Sequence, residues 1–178
     1  MLNKRSNLFL IYGLCAAIFV TLDQLVKLWA IANLQGQPER PLIQGFLHLT
    51  YLENTGAAFG FMAGFSGAQW VLSAIKLVTL VLAVAYFAKL PCEARFTFIR
   101  IPLVMIAAGG IGNLIDRVRF GFVVDMFLFR FIDFPVFNVA DIYVTVGAFL
   151  FVFVVLFVVK DAPFFGVPNK DNGTDTGS

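Results

Sequence analysis

Two aspartates are the residues of this chain best placed to do chemistry. Asp125 ends the stretch Gly121-Phe122-Val123-Val124-Asp125, and Asp141 ends Phe137-Asn138-Val139-Ala140-Asp141. A carboxylate at the edge of an apolar segment is expensive to desolvate, so each aspartate is a candidate for a functional site. Two carboxylates about 3 Å apart cannot both ionise, so one holds a proton while the other can act as a base. Such a pair can activate water against a peptide bond, provided that the fold brings the two together.

Other polar residues in apolar surroundings are spaced as on a helix. Asp23 and Lys27 stand at positions i and i+4, so they share a helical face and can neutralise each other. Asn113, Asp116 and Arg117 stand at i, i+3 and i+4 and share a face in the same way. From spacing alone, the first pair could be a salt bridge that snorkels outward. The second group could pack and anchor helices, or it could bind a ligand.

The composition indicates an integral membrane protein. Hydrophobic residues make up 60% of the chain and charged residues 13%, whereas soluble domains are about half apolar and about a quarter charged. The net charge of +2 is small and its basic residues are scattered, so a nucleic-acid partner is not expected. Cys15, Cys92 and the single His48 are too few and too far apart to favour a disulfide framework, a zinc site or a Ser-His-Asp triad.

Four apolar stretches are long enough, or nearly so, to cross a bilayer, which takes about 20 residues. They cover residues of about 8–31, 68–88, 98–118 and 138–159. Pro102 lies near the start of the third stretch, where the first turn of a helix tolerates proline. We therefore expect an all-α membrane protein with one four-span domain over residues 1–161. Residues 162–178 are rich in Pro, Gly, Asn, Asp and Thr, which predicts a disordered cytoplasmic tail.

The basic residues predict the orientation, since cytoplasmic loops carry an excess of Lys and Arg. One side would hold seven of them: Lys4, Arg5, Lys89, Arg95, Arg100, Lys160 and Lys170. The other side would hold four: Arg40, Arg117, Arg119 and Arg130. Both termini are therefore expected in the cytoplasm, and the loops 32–67 and 119–137 outside.

The beginning of the chain also has features of a cleaved leader. Lys4 and Arg5 precede an apolar run, and Cys15 lies within that run. However, the apolar run continues beyond Cys15 to Asp23, and Leu14 is bulky where a lipoprotein processing site needs a small residue. A retained span is the better interpretation.

This topology brings the candidate residues to one level. If the third span runs outward, Asp125 follows its end by about one loop, and Asp141 lies in the first turn of the fourth span on the same side. Three amides that can donate hydrogen bonds fall at a similar depth: Asn54, Asn113 and Asn138. We therefore expect an acid pair with its amide partners at the outer boundary of the membrane.

The outward loop between the first two spans is patterned as well. The apolar residues alternate from Phe46 to Leu52, which predicts short strands at the membrane surface. The following segment, Glu53 to Phe61, combines small residues with aromatics. It is predicted to be an interfacial loop, which could also close over a substrate.

With these motifs assembled, the chain resembles the lipoprotein signal peptidases (signal peptidase II), which are bacterial inner-membrane aspartic proteases. The resemblance extends from the first span to the fourth, and five motifs in the family's order carry it. They are Asp23-Gln24-Leu25-Val26-Lys27, Asn54-Thr55-Gly56-Ala57-Ala58-Phe59, Gly109-Gly110-Ile111-Gly112-Asn113-Leu114-Ile115-Asp116-Arg117, Val123-Val124-Asp125 and Phe137-Asn138-Val139-Ala140-Asp141.

The resemblance implies four membrane helices with a small extracytoplasmic β-sheet cradle. It also implies cleavage of prolipoproteins just before a cysteine that carries diacylglycerol, without a metal or organic cofactor. Asp125 and Asp141 would be the catalytic dyad. The residues that would line or support the site are Asn54, Asn113, Arg117, Asn138, Asp23, Lys27 and Asp116. Met126 stands where the family often has Phe, a change expected to affect packing only.

The expected partners are diacylglyceryl-modified prolipoproteins and membrane lipids, and a monomer is expected. Two other classes compete with this interpretation. A small transporter could use the acids as a proton or cation relay, but it would carry them near the midplane and often shows inverted repeats, neither of which is evident. A membrane scaffold without activity would leave the acid pair unexplained. Lys76, within the second span, has no function assigned by any of these interpretations.

Overall fold

The computed structural model describes residues 3–55 and 68–158. Most of the predicted interfacial loop, from Gly56 to Phe61, and the predicted tail 162–178 lie outside these residues, as does the side chain of Lys76. The described residues form four helices and three strands: α1 (Lys4–Leu34), β1 (Arg40–Ile43), β2 (Leu47–Asn54), α2 (Ala68–Lys89), α3 (Thr97–Phe120), β3 (Val123–Phe129) and α4 (Val139–Phe153). A short 3₁₀ turn, Ala94–Phe96, precedes α3, and a π-helical turn, Val154–Val158, prolongs α4.

The helices coincide with the predicted apolar stretches and extend some of them by a turn. Among the described residues, three are long and apolar enough to cross a membrane: Lys4–Leu34, Thr97–Phe120 and Val139–Val158. The predicted second span corresponds to α2, in which Leu77–Lys89 forms a shorter apolar helix by the same measure. The protein is therefore mostly helical with several apolar helices, as expected.

Helix α3 is the centre of the bundle, since it packs against α1, α2 and α4. Glycine permits its closest approach to α4. A Cβ atom on Gly109 would overlap the carbonyl oxygen of Ala140 and would come within 2.7 Å of the Val144 side chain. On the opposite helix, a Cβ on Gly147 would lie 3.0 Å from the carbonyl oxygen of Pro102. These small residues let the two backbones touch, as predicted for membrane helices.

The three strands form one antiparallel sheet in the order β1-β2-β3. The second strand confirms the pattern predicted from Phe46 onward, whereas β1 lies before that pattern. The third strand, which contains Asp125, was not predicted: the sequence interpretation placed this aspartate in a loop. Its β-branched and aromatic residues, following the left-handed Gly121, are the signal for it. The sheet pairs Leu52 with Asp125 and Asn54 with Val123.

The apolar and polar residues are distributed as in a membrane protein. Two small apolar cores lie at different levels: one joins α2, α3 and α4 around Phe96 and Ile99, and the other packs the end of α1 against the sheet around Leu34 and Met126. Many large apolar side chains of the helices face outward, including Leu25 and Phe149. By contrast, the buried polar residues within the described ranges are Asp23, Lys27, Arg100, Asn113, Asp116, Asp125 and Asn138.

Candidate active site

Asp125 is fully buried on β3 and accepts hydrogen bonds on both carboxylate oxygens. The side-chain amide of Asn54, at the end of β2, donates to Oδ2 at 2.7 Å. The amide of Asn138 donates to Oδ1 at 2.5 Å. The antiparallel register of β2 and β3 positions the first of these donors, because it sets Asn54 two residues from the partner of Asp125.

Asp141 lies in the first turn of α4, half-buried. Asn138 is the N-cap of this helix, and its side-chain oxygen accepts a hydrogen bond from the Asp141 backbone N–H at 3.0 Å. The amide of Asn113, on α3, donates to Asp141 Oδ1 at 2.9 Å.

A short strand-like pairing brings the two aspartates to one place. Just before α4, Phe137 pairs with Phe127 of β3, with backbone hydrogen bonds of 3.0 and 2.9 Å between them. The next residue, Asn138, therefore stands beside Asp125 and at the start of the helix that carries Asp141. Its amide also reaches Asn113 Oδ1 at 3.2 Å. The two carboxylates are thus linked through two asparagine side chains.

A buried layer of charge lies behind this network. Lys27 is 2% exposed, and its ammonium lies 3.0 Å from Asp23 Oδ2 and 2.9 Å from Asp116 Oδ2. It also donates to Asn113 Oδ1 at 2.9 Å. The expected Asp23–Lys27 ion pair is therefore present, but it is internal, and the alternative that it snorkels outward is wrong. The reason is that Asp116 and Asn113 of α3 supply further acceptors inside the bundle.

Arg117 occupies the remaining predicted position on α3. It is half-buried and interacts electrostatically with Asp141, Asp125 and Asp116. All nine residues predicted for the site therefore belong to one neighbourhood, although they come from α1, β2, α3, β3 and α4.

The surroundings of Asp125 raise its pKa from the ordinary value of 3.8 to about 6. Burial is the largest cause, because it disfavours the charged form, and the nearby Asp141 acts in the same direction. The hydrogen bonds from Asn54 and Asn138 and the charge of Lys27 oppose the shift and lower the pKa. Asp125 is therefore a carboxyl group that can hold a proton close to neutral pH.

Sequence reasoning assigned no role to Gln24 or Gly112, and the structure places both at the site. The Gln24 side-chain amide donates to Asp116 Oδ1 at 2.9 Å and to the Gly112 carbonyl oxygen at 3.1 Å. A Cβ atom on Gly112 would lie 2.5 Å from Asp23 Oδ2, so this glycine makes room for the carboxylate. Both residues stand inside the quoted motifs, beside charged residues, which was the available signal.

An apolar helical exterior and two linked carboxylates are the features of a membrane enzyme of the aspartic peptidase class. The model of peptidase family A8, described as signal peptidase (SPase) II, matches residues 15–157. The chain belongs to the signal peptidase II family.

Curated relatives cover most of the chain. The lipoprotein signal peptidase of Clostridioides difficile (strain 630) is 41% identical over 152 residues, which is 85% of this chain and 99% of that protein. That of Clostridium acetobutylicum is 41% identical over 147 residues, 80% of this chain and 92% of that protein. That of Streptococcus pyogenes (strain MGAS10394) is 39% identical over 142 residues, 80% of this chain and 90% of that protein.

Two solved structures have a similar fold. A bacterial membrane enzyme determined by the in meso method at 1.9 Å resolution superposes with a TM-score of 0.69 at 30% identity, covering 82% of this chain and 92% of its own. Another, determined at 2.3 Å resolution, gives a TM-score of 0.66 at 31% identity and covers 85% of this chain and 90% of its own.

Proposed function

We propose that this chain removes the signal peptide from diacylglyceryl-modified prolipoproteins by cutting just before the lipidated cysteine, with Asp125 and Asp141 as the catalytic dyad. The observation that carries this proposal is the linkage of the two carboxylates through Asn138 and Asn113. Membership of the signal peptidase II family and the names of its curated relatives supply the substrate class.

The different environments of the two aspartates divide the roles. Asp141, at the N-terminus of α4, carries the negative charge and draws a proton from the attacking water. Asp125, whose pKa is raised to about 6 by burial, holds the shared proton and donates it to the oxygen of the scissile carbonyl. The amides of Asn54 and Asn138 keep Asp125 oriented, and Arg117 offsets the charge that develops beside the pair.

The site lies at the outer face of a four-span domain over residues 1–161, with both termini and the tail 162–178 in the cytoplasm. One contact and the order of the elements support this arrangement. The Arg5 guanidinium donates to the Ala88 carbonyl oxygen, which joins the start of α1 to the end of α2 at the basic side. The sheet and the dyad lie at the other ends of the helices, where α1 and α3 end and α4 begins.

This position suits a substrate anchored by lipid in the outer leaflet, because such a substrate reaches the dyad by moving sideways in the bilayer. The enzyme acts as a monomer in contact with membrane lipids, since one chain supplies both aspartates and their amide partners. No metal or organic cofactor takes part in this reaction scheme.

Cleavage by single variants of the dyad tests the assignment. Purified Asp125→Asn and Asp141→Asn proteins are assayed with a diacylglyceryl-modified prolipoprotein, and a loss of about 10²–10⁴-fold or more in kcat is expected because each removes a proton-transfer group. Asp133→Asn, which neutralises an exposed carboxylate, is the matched control and is expected to cleave normally. Normal cleavage by either dyad variant would overturn the assignment.

A further inference from the structure

We propose that Lys27 is a positioning residue for the dyad: it fixes the direction of the amide network at Asp141 and holds the backbone just before each aspartate. This inference rests on the proposed function, since it takes Asp125 and Asp141 as the reacting pair. It assigns Lys27 a part in catalysis without contact to the substrate.

Lys27 determines the direction of the hydrogen bonds that Asn113 makes. A lysine ammonium has three donors and no acceptor. Lys27 directs them to Asp23, Asp116 and the side-chain oxygen of Asn113, at 3.0, 2.9 and 2.9 Å. Asn113 must therefore turn its oxygen toward Lys27, and its NH₂ group then faces Asp141 Oδ1 at 2.9 Å. The flipped amide would set NH₂ against an ammonium and oxygen against a carboxylate, so the cation selects the productive orientation.

The two carboxylates that pair with Lys27 bind the backbone next to the proposed dyad. Asp23 accepts a hydrogen bond from the backbone N–H of Ala140 at 2.9 Å, and Asp116 accepts one from that of Val124 at 3.1 Å. Ala140 is the residue before Asp141, and Val124 is the residue before Asp125. The buried ammonium of Lys27 thus stabilises two carboxylate–backbone contacts. One joins Asp23 of α1 to the start of α4, and the other joins Asp116 of α3 to β3.

Lys27 also acts on Asp125 through its charge. Among the described residues, the charged groups that act on Asp125 are Lys27 from α1, Arg117 from α3 and Asp141 from α4. Asp116 of α3 accepts a hydrogen bond from the neighbouring Val124 backbone, and Glu53 of β2 is exposed and accepts one from Tyr51 at 3.2 Å. Lys27 is a cation that lowers the pKa of Asp125. Its removal raises the proton affinity of the dyad, an effect that a merely structural lysine would not have.

The experiment compares the kinetics of variants that keep or lose these features. Lys27→Met keeps the length of the apolar stem and removes the ammonium. This single variant leaves the buried carboxylates of Asp23 and Asp116 without their cation, which disfavours folding. The double variant Lys27→Met/Asp23→Asn removes one of these two charges, and the Asn side-chain oxygen can still accept the hydrogen bond from the Ala140 backbone N–H. Arg100→Met is the matched control: it removes another buried cation, which donates to the Glu93 carbonyl oxygen at 3.2 Å and lies outside the site.

In the folded double variant we expect kcat to fall about 10–100-fold, the range found when outer partners of a catalytic group are lost. KM is expected to stay within about twofold, because Lys27 does not touch the substrate. The alkaline limb of the pH profile is expected to move to higher pH. Arg100→Met is expected to lower thermal stability without changing kcat or the pH profile.

A folded double variant with wild-type kcat and an unmoved pH limb would overturn the inference, as would an equal change in Arg100→Met. The proposed function fails by a different result, namely cleavage by Asp125→Asn or Asp141→Asn. The two hypotheses can therefore be rejected separately.

Discussion

Two chemically identical side chains, Asp125 and Asp141, lie in different surroundings in this protein, and this difference is the basis of the roles proposed for them. Asp125 lies on a strand, out of contact with water, where burial raises its pKa to about 6 despite two amide hydrogen bonds. Asp141 lies in the first turn of a helix and is half-buried. In the proposed reaction Asp125 therefore holds the proton that the pair shares.

The pH dependence of cleavage tests this description at the level of single residues. The proposed reaction needs the proton on Asp125, so kcat/KM is expected to fall about tenfold per unit as the pH rises beyond about 6. The Asn54 hydrogen bond lowers the pKa of Asp125. Asn54→Ala should therefore raise this pKa and move the falling limb to higher pH.

The measurement is a set of pH–rate profiles on purified enzyme. Asn33→Ala is the matched control, since Asn33 is exposed on α1 and donates only to the Trp29 carbonyl oxygen within its own helix among the contacts described. Its profile should coincide with that of the wild type. A limb that moves to lower pH in Asn54→Ala would contradict the assignment of the proton to Asp125.

At the scale of elements, the close contact of α3 with α4 determines where Asp141 lies. A Cβ atom on Gly109 would overlap the Ala140 carbonyl oxygen, which belongs to the residue just before Asp141. Gly109→Ala is therefore expected to push the start of α4 away from α3. Overpacking of this kind costs about 1–3 kcal/mol of folding free energy, and cleavage should fall more steeply than stability.

Thermal melting and cleavage by the same preparation measure the two effects. Gly13→Ala is the matched control, because the corresponding Cβ on α1 would meet nothing within 4 Å. It is expected to leave both quantities unchanged or to raise stability slightly, since alanine favours helix by about 1 kcal/mol over glycine. Equal behaviour of the two variants would show that the α3–α4 contact does not position the site.

The elements also show how far the sequence predicts the fold. The helices follow from long apolar runs, and β2 from alternation after Phe46. The strand that carries Asp125 was missed because its residues are buried on both faces, so they do not alternate. Its existence depends on pairing with β2 and with Phe137, which are distant in sequence.

At the scale of the whole molecule, the described helices turn many large apolar side chains outward, while a set of charged and amide side chains is buried beside the two apolar cores. This is an arrangement that a bilayer stabilises. The asymmetry of the basic residues predicts the orientation, with the start of α1 and the end of α2 in the cytoplasm. In the proposed function, the substrate's lipid anchor lies in the outer leaflet, and the proposed dyad is expected at the opposite face from these basic ends.

Thiol labelling in intact cells tests this topology. Cys15→Ser leaves Cys92, between α2 and α3, as the remaining cysteine, and we expect a membrane-impermeant maleimide to label it only after the membrane is opened. In a chain with both cysteines replaced by Ser, Asp133→Cys should be labelled in intact cells, since this residue is exposed between β3 and α4. The reverse pattern would place the dyad on the cytoplasmic side.

The sequence by itself determined that this is a membrane protein, which family it resembles and which nine residues are proposed for its site, because apolar length and ordered motifs are local properties of the chain. Only the tertiary structure decided how these residues act on one another. The link from Asp125 through Asn138 and Asn113 to Asp141 and the central place of Lys27 depend on side chains from α1, α3, β3 and the start of α4. Hydrogen-bond direction and burial are set by partners distant in sequence, so no local pattern encodes them.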